Sequence, residues 1–346
     1  MSIPQTTREY RLPKKEGFHD LTLVESPIPK LKATEVLLKV HAVSLNFRDV
    51  AIAKNIYPMP LKENLVPGSD MAGDIVALGP EVTGWSVGER VSVNFAPDHI
   101  FGEASEETIN SIMGGYSDGV LTEYKAVPAH SLVRIPEHLS YEEASTLPCA
   151  GVTAYNALFG ANPIKGSDIV LVQGTGGVSI FALQIAVASG AVVIATSSSD
   201  KKLELVKKLG ATHTINYKTT PDWEIEVRKL TNGRGVDHVI EVGGAGTIIK
   251  SVQSVRFGGS IDLIGLVAGQ ADVSMLPLLI LKSGCFVHGI QVGPRVMFED
   301  MNRLISAAKI KPVIDKVFPF EQLKESYEYL WSQQHVGKVV VTMSKD

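Results

Sequence analysis

The sequence predicts an α/β protein of two domains, a strand-rich one and a second built on a doubly wound parallel sheet. Three observations carry this. DIVLVQGTGGVSIFALQIAVASGA, residues 168–191, reads as buried strand, tight glycine turn and helix. Strand-like and helix-like runs then alternate as far as residue 290 or so. Residues 8–130 instead carry many short strands with turn signals between them.

In the first domain, Glu35–Ala42 alternates apolar and polar residues as a half-exposed strand does, and Asp70–Leu78 and Glu89–Phe95 look alike. Gly79-Pro80 and Gly84 mark turns between them. This texture suggests a β-barrel-like unit with a long loop over it at 96–119. From residue 140 onward the pattern changes: Tyr141–Ala144 and Val152–Leu158 read as helical. Strands are expected at 168–173, 192–196, 213–217, 236–242, 260–264 and 285–290. A helix over 298–308 and an amphipathic segment over 321–332 lead to a last strand, Lys338–Met343, expected back in the first domain. The boundaries that follow are 1–150, 151–292 and 293–346.

The glycine turn carries the first functional expectation. Gly174, Gly176 and Gly177 directly follow the strand, and Ser179 stands where a dinucleotide fingerprint has its third glycine. Such glycines let the backbone approach a pyrophosphate, whose charge the free N–H groups of a helix start can hold. A plain ribose calls for an acid at the tip of the next strand, Val192–Thr196. Here the tip reads Thr196, Ser197, Ser198, Ser199, Asp200, Lys201, Lys202. Hydroxyls and ammonium groups there suit a 2′-phosphate, so NADPH is expected over NADH. Ser199 or Asp200 also suits the cap of the next helix, 201–209.

Length of 346 residues fits two domains, and 45% apolar content can fill two cores. A net charge of −4 without a long basic run points away from nucleic acid and from anionic membrane surfaces. Two cysteines, Cys149 and Cys285, cannot form a disulfide framework, which suggests a reducing compartment. The N-terminal stretch has no signal-peptide core, LPLLIL at 276–281 is too short to span a membrane, and the C-terminal MSKD is no targeting address. A cytoplasmic protein is expected.

VSLNFRDVAIAKNIYP (43–58), VPGSDMAGDIVALG (66–79), GWSVGERV (84–91), TLPCAGVTAYNAL (146–158), VQGTGGVSIFALQIA (172–186), LGATHTINYK (209–218), GVDHVIEVGG (235–244) and HVGKVVV (335–341) occur in this order. With them the chain resembles the medium-chain dehydrogenase/reductase superfamily, and within it the zinc-independent quinone oxidoreductase and enoyl reductase branch. The resemblance implies a GroES-like catalytic domain plus a Rossmann domain, an active site in the cleft between them, and a homodimer paired through an edge strand near 260–290.

The departures from that family bear on the chemistry. Its zinc enzymes hold the metal with a Cys at the position of Asn46, a His at that of Ser69 and a Cys at that of Cys149; here only the last remains. One thiol cannot hold a zinc, which needs three protein ligands even in an open catalytic site. The four-cysteine lobe is absent from 95–115, and Asp98-His99 reads as a surface pair. No metal is expected. Without a Lewis acid, a conjugated acceptor is favoured, because the charge that hydride delivers is delocalised and a hydrogen-bond donor can stabilise it. The expectation is reduction of a quinone or of the C=C bond of an α,β-unsaturated carbonyl.

Residue roles implied by the resemblance follow its motifs. Asn46 would meet the nicotinamide ribose or substrate oxygen, or else cap the backbone in a turn. Tyr57 matches a tyrosine that donates a proton in enoyl reductases, or else packs beneath Pro58. Arg48 and Asp49 would touch substrate or pair with each other, and Asp70 would form the pocket floor. Thr153 matches a nicotinamide-side threonine, and Gly176, Gly177 and Val178 the pyrophosphate turn that starts at Gly174. Ser197, Ser198, Lys202 and Tyr217 would surround the 2′-phosphate. Val242 and Gly243 end a strand near the ribose, Leu266 and Val292 end strands near the nicotinamide, and Lys338 lies in a tail motif facing the cofactor. Two other readings stay open: a metal-free alcohol dehydrogenase or ketone reductase using Ser69 and Tyr57, and a non-catalytic NADPH-binding protein.

Overall fold

The computed structural model describes residues 3–343. The ends Met1–Ser2 and Ser344–Asp346, which include most of the MSKD terminus, lie outside the described residues. The chain divides into two units: residues through Val152 together with those from Gly293 onward, and residues Thr153–Val292.

The second unit is a six-stranded parallel sheet. Its strands lie in the order His213–Asn216, Val192–Ser197, Ile169–Gln173, Val236–Glu241, Val255–Leu263, Phe286–Gly289. Helices such as Gly177–Ala188, Asp200–Lys208 and Trp223–Leu230 link them. The order reverses between Ile169–Gln173 and Val236–Glu241, where a doubly wound sheet opens a crevice at its strand ends. Those strands are apolar on both faces because helices cover both, and Val170, Leu171, Val239 and Ile240 are fully buried. The fifth strand begins at Val255, five residues before its expected start. Gly258 (φ 66) and Gly259 interrupt its apolar pattern, and a register irregularity sits beside them. Such glycines mask a strand in sequence while the ladder tolerates them as a bulge.

The first unit holds a seven-stranded sheet in which Glu35–Leu45 is the hub. Glu35–Leu45 pairs antiparallel with Asp70–Leu78, with Tyr124–Pro128 and with the last strand, Lys338–Thr342. Leu38, Val40, Val43, Met71, Val91, Leu121, Val339 and Tyr327 belong to one buried cluster beneath it. Two ladder registers position the site. Val339 faces Leu45, which brings Lys338 beside Asn46, and Ser44 faces Asp70. The expected loop at 96–119 contains one short helix, Glu106–Asn110, started by a Ser105 capping box. No helix among the described residues is long and apolar enough to cross a membrane.

Candidate functional site

Each unit carries one group of site residues. In the second unit the turn after the first strand is built to leave backbone N–H groups open. Gly174 adopts φ 72, a left-handed conformation that glycine takes without steric cost. A Cβ at Gly174 or Gly176 would meet nothing within 4 Å, so open space lies over the turn. Gly176 is the N-cap of helix Gly177–Ala188 and supplies no capping side chain. The first N–H groups of that helix, from Gly177 and Val178, are thus free for an anion. Ser179 is buried, and its hydroxyl donates to the Gln173 carbonyl at 2.6 Å, tying helix to strand. These features fit a dinucleotide pyrophosphate.

Beneath this turn lies a residue that the sequence motifs do not single out. Glu241, fully buried at the end of its strand, accepts hydrogen bonds from Gln173 Nε2 (2.9 Å), the N–H groups of Gly243 (2.7 Å) and Gly244 (2.9 Å), Thr247 Oγ1 (2.6 Å) and Ser251 Oγ. One carboxylate therefore fastens the strand ends on both sides of the order reversal. The VIEVGG run shows an acid before glycines, but only the sheet order puts Gln173 beside it.

At the tip of the second strand, Ser199 is the helix N-cap and accepts from Lys202 N at 3.4 Å. Asp200 Oδ1 accepts from Asn216 Nδ2 at 2.7 Å, so the tip's one carboxylate is engaged with a neighbouring strand. Ser197 is buried, Ser198 and Lys202 are half-buried, and Tyr217 is exposed. Thr153 is buried at the start of helix Val152–Phe159, and Val242 is half-buried just past its strand. Leu266 does not end a strand: the strand stops at Leu263, and Leu266 lies on the surface at 71% exposure. Val292, also past its strand end, has φ 53, a strained value for a β-branched residue, and its carbonyl accepts from Asn156 Nδ2 at 2.8 Å.

In the first unit a buried polar chain runs through the positions marked by sequence. Lys338 Nζ donates to Asn46 Oδ1 (2.5 Å) and to the Leu45 carbonyl (2.6 Å). Asn46 Nδ2 donates to Ser69 Oγ at 3.5 Å, Ser69 Oγ donates to Asp70 Oδ1 at 2.6 Å, and Asp70 Oδ2 accepts from Cys149 N–H at 3.1 Å. Burial raises the Asp70 pKa, while the nearby Lys338 charge and the Ser69 hydroxyl pull it down. Cys149 is half-buried; desolvation and the nearby Asp70 carboxylate push its thiol up to about 12, so it is no ready thiolate. Asn46 is the N-cap of helix Phe47–Ala53, yet its amide faces Lys338 and Ser69; its own backbone N–H donates to Asp49 Oδ2 at 2.8 Å. Lys338, expected to face the cofactor, is buried under Asn46 at 4% exposure.

Tyr57 packs against the core cluster, with the Arg48 guanidinium 5.7 Å from its ring centre. The expected Arg48–Asp49 pair is loose, 3.8 Å apart. Asp98 and His99 do not form a surface pair. Asp98 binds His130 at 2.8 Å, and the buried His99 meets the Gly102 carbonyl at 3.0 Å. The two side chains leave a turn in different directions, which adjacency in sequence does not disclose.

Family models match both units: "Alcohol dehydrogenase GroES-like domain" over residues 32–137 and "Zinc-binding dehydrogenase" over residues 177–307. A zinc-type alcohol dehydrogenase-like protein of Schizosaccharomyces pombe is 50% identical over 331 residues, covering 94% of this chain and 96% of its own. A crystal structure named as an alcohol dehydrogenase of Sinorhizobium meliloti 1021 superposes with a TM-score of 0.92 at 38% identity, covering 99% of this chain and 100% of its own. The 2-octenoyl-CoA carboxylase reductase CinF of a Streptomyces species, solved with NADP and 2-octenoyl-CoA, gives a TM-score of 0.85 at 27% identity, covering 99% and 88%. With a GroES-like domain, a Rossmann-type sheet and this likeness over nearly its full length, the chain belongs to the medium-chain dehydrogenase/reductase superfamily of oxidoreductases.

Proposed function

We propose that the chain is a zinc-independent, NADPH-dependent reductase of a conjugated acceptor, a quinone or the C=C bond of an α,β-unsaturated carbonyl. The observation that carries this is the Lys338 ammonium on Asn46 Oδ1. In the family's zinc enzymes position 46 is a metal thiolate. Here it offers an amide whose oxygen already holds a cation, and the Ser69 hydroxyl is committed to Asp70. A divalent ion placed there would meet an ammonium and no thiolate or imidazole but one high-pKa thiol. Among the described residues, the only cluster of three such ligand side chains is Glu16, His19 and Asp20, away from these positions.

Bound NADPH would supply hydride. The residues that would hold it are the Gly174–Val178 turn for the pyrophosphate and Ser197, Ser198, Lys202 and Tyr217 for the 2′-phosphate. Asp200 Oδ1 already accepts from Asn216, so that oxygen is not available to a plain ribose. Tyr57 is the candidate to return a proton to the substrate's α-carbon. The relative solved with NADP and an enoyl thioester supports this class of acceptor.

The test is loss of NADPH absorbance on mixing with an enone, a quinone and a saturated aldehyde, with metal analysis of the same sample. Turnover of the conjugated acceptors without stoichiometric zinc is expected. Faster turnover of the saturated aldehyde, or zinc lost together with activity on chelation, would replace this reading with carbonyl reduction.

We also propose a homodimer through the edge strand Phe286–Gly289, which pairs on one side only. Phe286 on that strand is 66% exposed and Leu281, in the preceding helix Leu276–Ser283, 79%; exposed apolar side chains on these elements suit burial against a second copy. Sedimentation should show a dimer, and Phe286→Lys a monomer. The two free cysteines agree with a cytoplasmic setting.

A further inference from the structure

Arg48 is held as few surface arginines are. Its guanidinium carbon lies 4.9 Å from the Phe95 ring centre and 5.7 Å from that of Tyr57. Nη1 donates to the Met113 carbonyl at 3.0 Å. A Cβ on Gly115 would stand 2.6 Å from Nη2, so the missing side chain at 115 makes the seat. The side chain is only 9% exposed.

Its charge nevertheless faces a buried carboxylate that it does not hydrogen-bond. Asp49 Oδ1 is 3.8 Å away, beyond hydrogen-bond distance, and the other oxygen of Asp49 is taken by Asn46 N–H. Nε is buried and has no hydrogen-bond partner. A buried donor left unpaired costs about 1–3 kcal/mol. An arginine kept only for stability would be expected to make a bidentate pair with a carboxylate. Two ring faces, one carbonyl and one glycine instead fix the group; Nε is closed off, and among the described residues Nη2 donates to no partner, which leaves that nitrogen for a ligand oxygen.

We propose that Arg48 is the group that holds the acceptor's oxygen as negative charge develops on it. This rests on the conjugated-acceptor reading and names the residue that replaces the Lewis acid. In the step it serves, a hydride adds to the β-carbon, the C=C pair shifts to the α-carbon–carbonyl bond, and the carbonyl pair moves onto oxygen. A proton then reaches the α-carbon, so the acceptor gains two hydrogens in all. The enolate or phenolate oxygen has a fixed cation beside it in a site of low dielectric, where such a contact is strongest.

Two readouts test this. Steady-state kinetics on the enone compare wild type with Arg48→Met, Arg48→Lys and Gly115→Ala, the last displacing the guanidinium without removing it. Arg48→Met is expected to lower kcat/KM by about 10²–10³-fold, as loss of one oxyanion donor does. Its NADPH dissociation constant should stay within about twofold of wild type, and added guanidinium should recover part of the rate. Arg48→Lys and Gly115→Ala should fall between, and Gly115→Ala decides the matter if Arg48→Met does not fold. The second readout needs no turnover: 4-nitrophenolate, an oxyanion mimic, should bind wild type and bind Arg48→Met at least tenfold more weakly. Unchanged kcat/KM and unchanged phenolate binding in the folded variants would overturn the proposal. If wild type reduces no conjugated acceptor but binds phenolate through Arg48, the functional reading fails and the assignment of Arg48 as an oxyanion holder stands.

Discussion

Lys338 Nζ and Asn46 Oδ1 are 2.5 Å apart and 292 residues apart in sequence. The antiparallel ladder that sets Val339 against Leu45 brings them together. The ammonium also donates to the Leu45 carbonyl, so it binds the end of the hub strand as well as the amide that follows it. A charge at the amide oxygen polarises the whole amide, which strengthens its N–H as a donor. The pair thus fixes which way the Asn46 amide points and keeps a positive charge close to the two buried acids, Asp49 and Asp70.

Lys338→Met should remove that charge while keeping much of the volume. Breaking a buried charged contact costs about 3–5 kcal/mol when its partner charges stay behind. A lowered urea midpoint of unfolding is expected, with Lys338→Met plus Asp70→Asn recovering part of the loss. Equal midpoints for wild type and the single variant would show that the ammonium contributes nothing to the fold.

Glu241 should matter to the cofactor out of proportion to its distance from solvent. Glu241→Gln keeps the shape but puts an N–H where the carboxylate accepts from five groups. Two or more of those donors lose their partner, at about 1–3 kcal/mol each. Fluorescence titration is expected to show NADPH binding weakened by at least tenfold, because the turns on both sides of the order reversal loosen together.

Lys202 is the residue at which the proposed preference for NADPH over NADH can be tested. Lys202→Glu places an acid at the strand tip, repelling a 2′-phosphate and offering an acceptor to a plain ribose. NADPH affinity should fall at least tenfold, with NADH affinity unchanged or raised. Parallel loss for both cofactors would remove the 2′-phosphate role from this lysine.

Asp262 sets a pH dependence. Burial pushes its carboxyl up to about 8; Oδ2 has no partner, and His288 Nδ1 is 4.0 Å from Oδ1. An acid whose folded pKa lies above its unfolded value binds more protons when folded, so stability falls as pH rises through that window. The window runs from the unfolded value near 4 to about 8. Asp262→Asn should therefore gain on wild type by a few kcal/mol between pH 5 and 8, on the order of one kcal/mol per pH unit. Thermal unfolding at both pH values measures the difference, and a constant difference would place the titration elsewhere.

What was legible in the sequence was local. A strand, its glycine turn and the next helix announce themselves because apolar period, left-handed glycine and helix cap are properties of neighbouring residues. The strand tip rich in hydroxyls is equally local, whereas Asn46 and Ser69 stand out only against the family that the motifs resemble. Where local chemistry misled, another force had intervened: the strand from Val255 to Leu263 passes through two glycines because its ladder partners hold it. Leu266 is placed at a strand end by the family resemblance alone, and the strand stops three residues short of it, at Leu263.

The sequence alone thus determined a nucleotide-binding parallel sheet joined to a strand-rich unit. Only the tertiary structure decided that Lys338 lies under Asn46, that Glu241 joins two turns, and that Arg48 is seated between Phe95 and Tyr57 with an N–H left over. The reason is strand register and loop packing. They bring together residues tens to hundreds of positions apart, and their energy comes from long-range pairing and burial rather than from any neighbour in the chain.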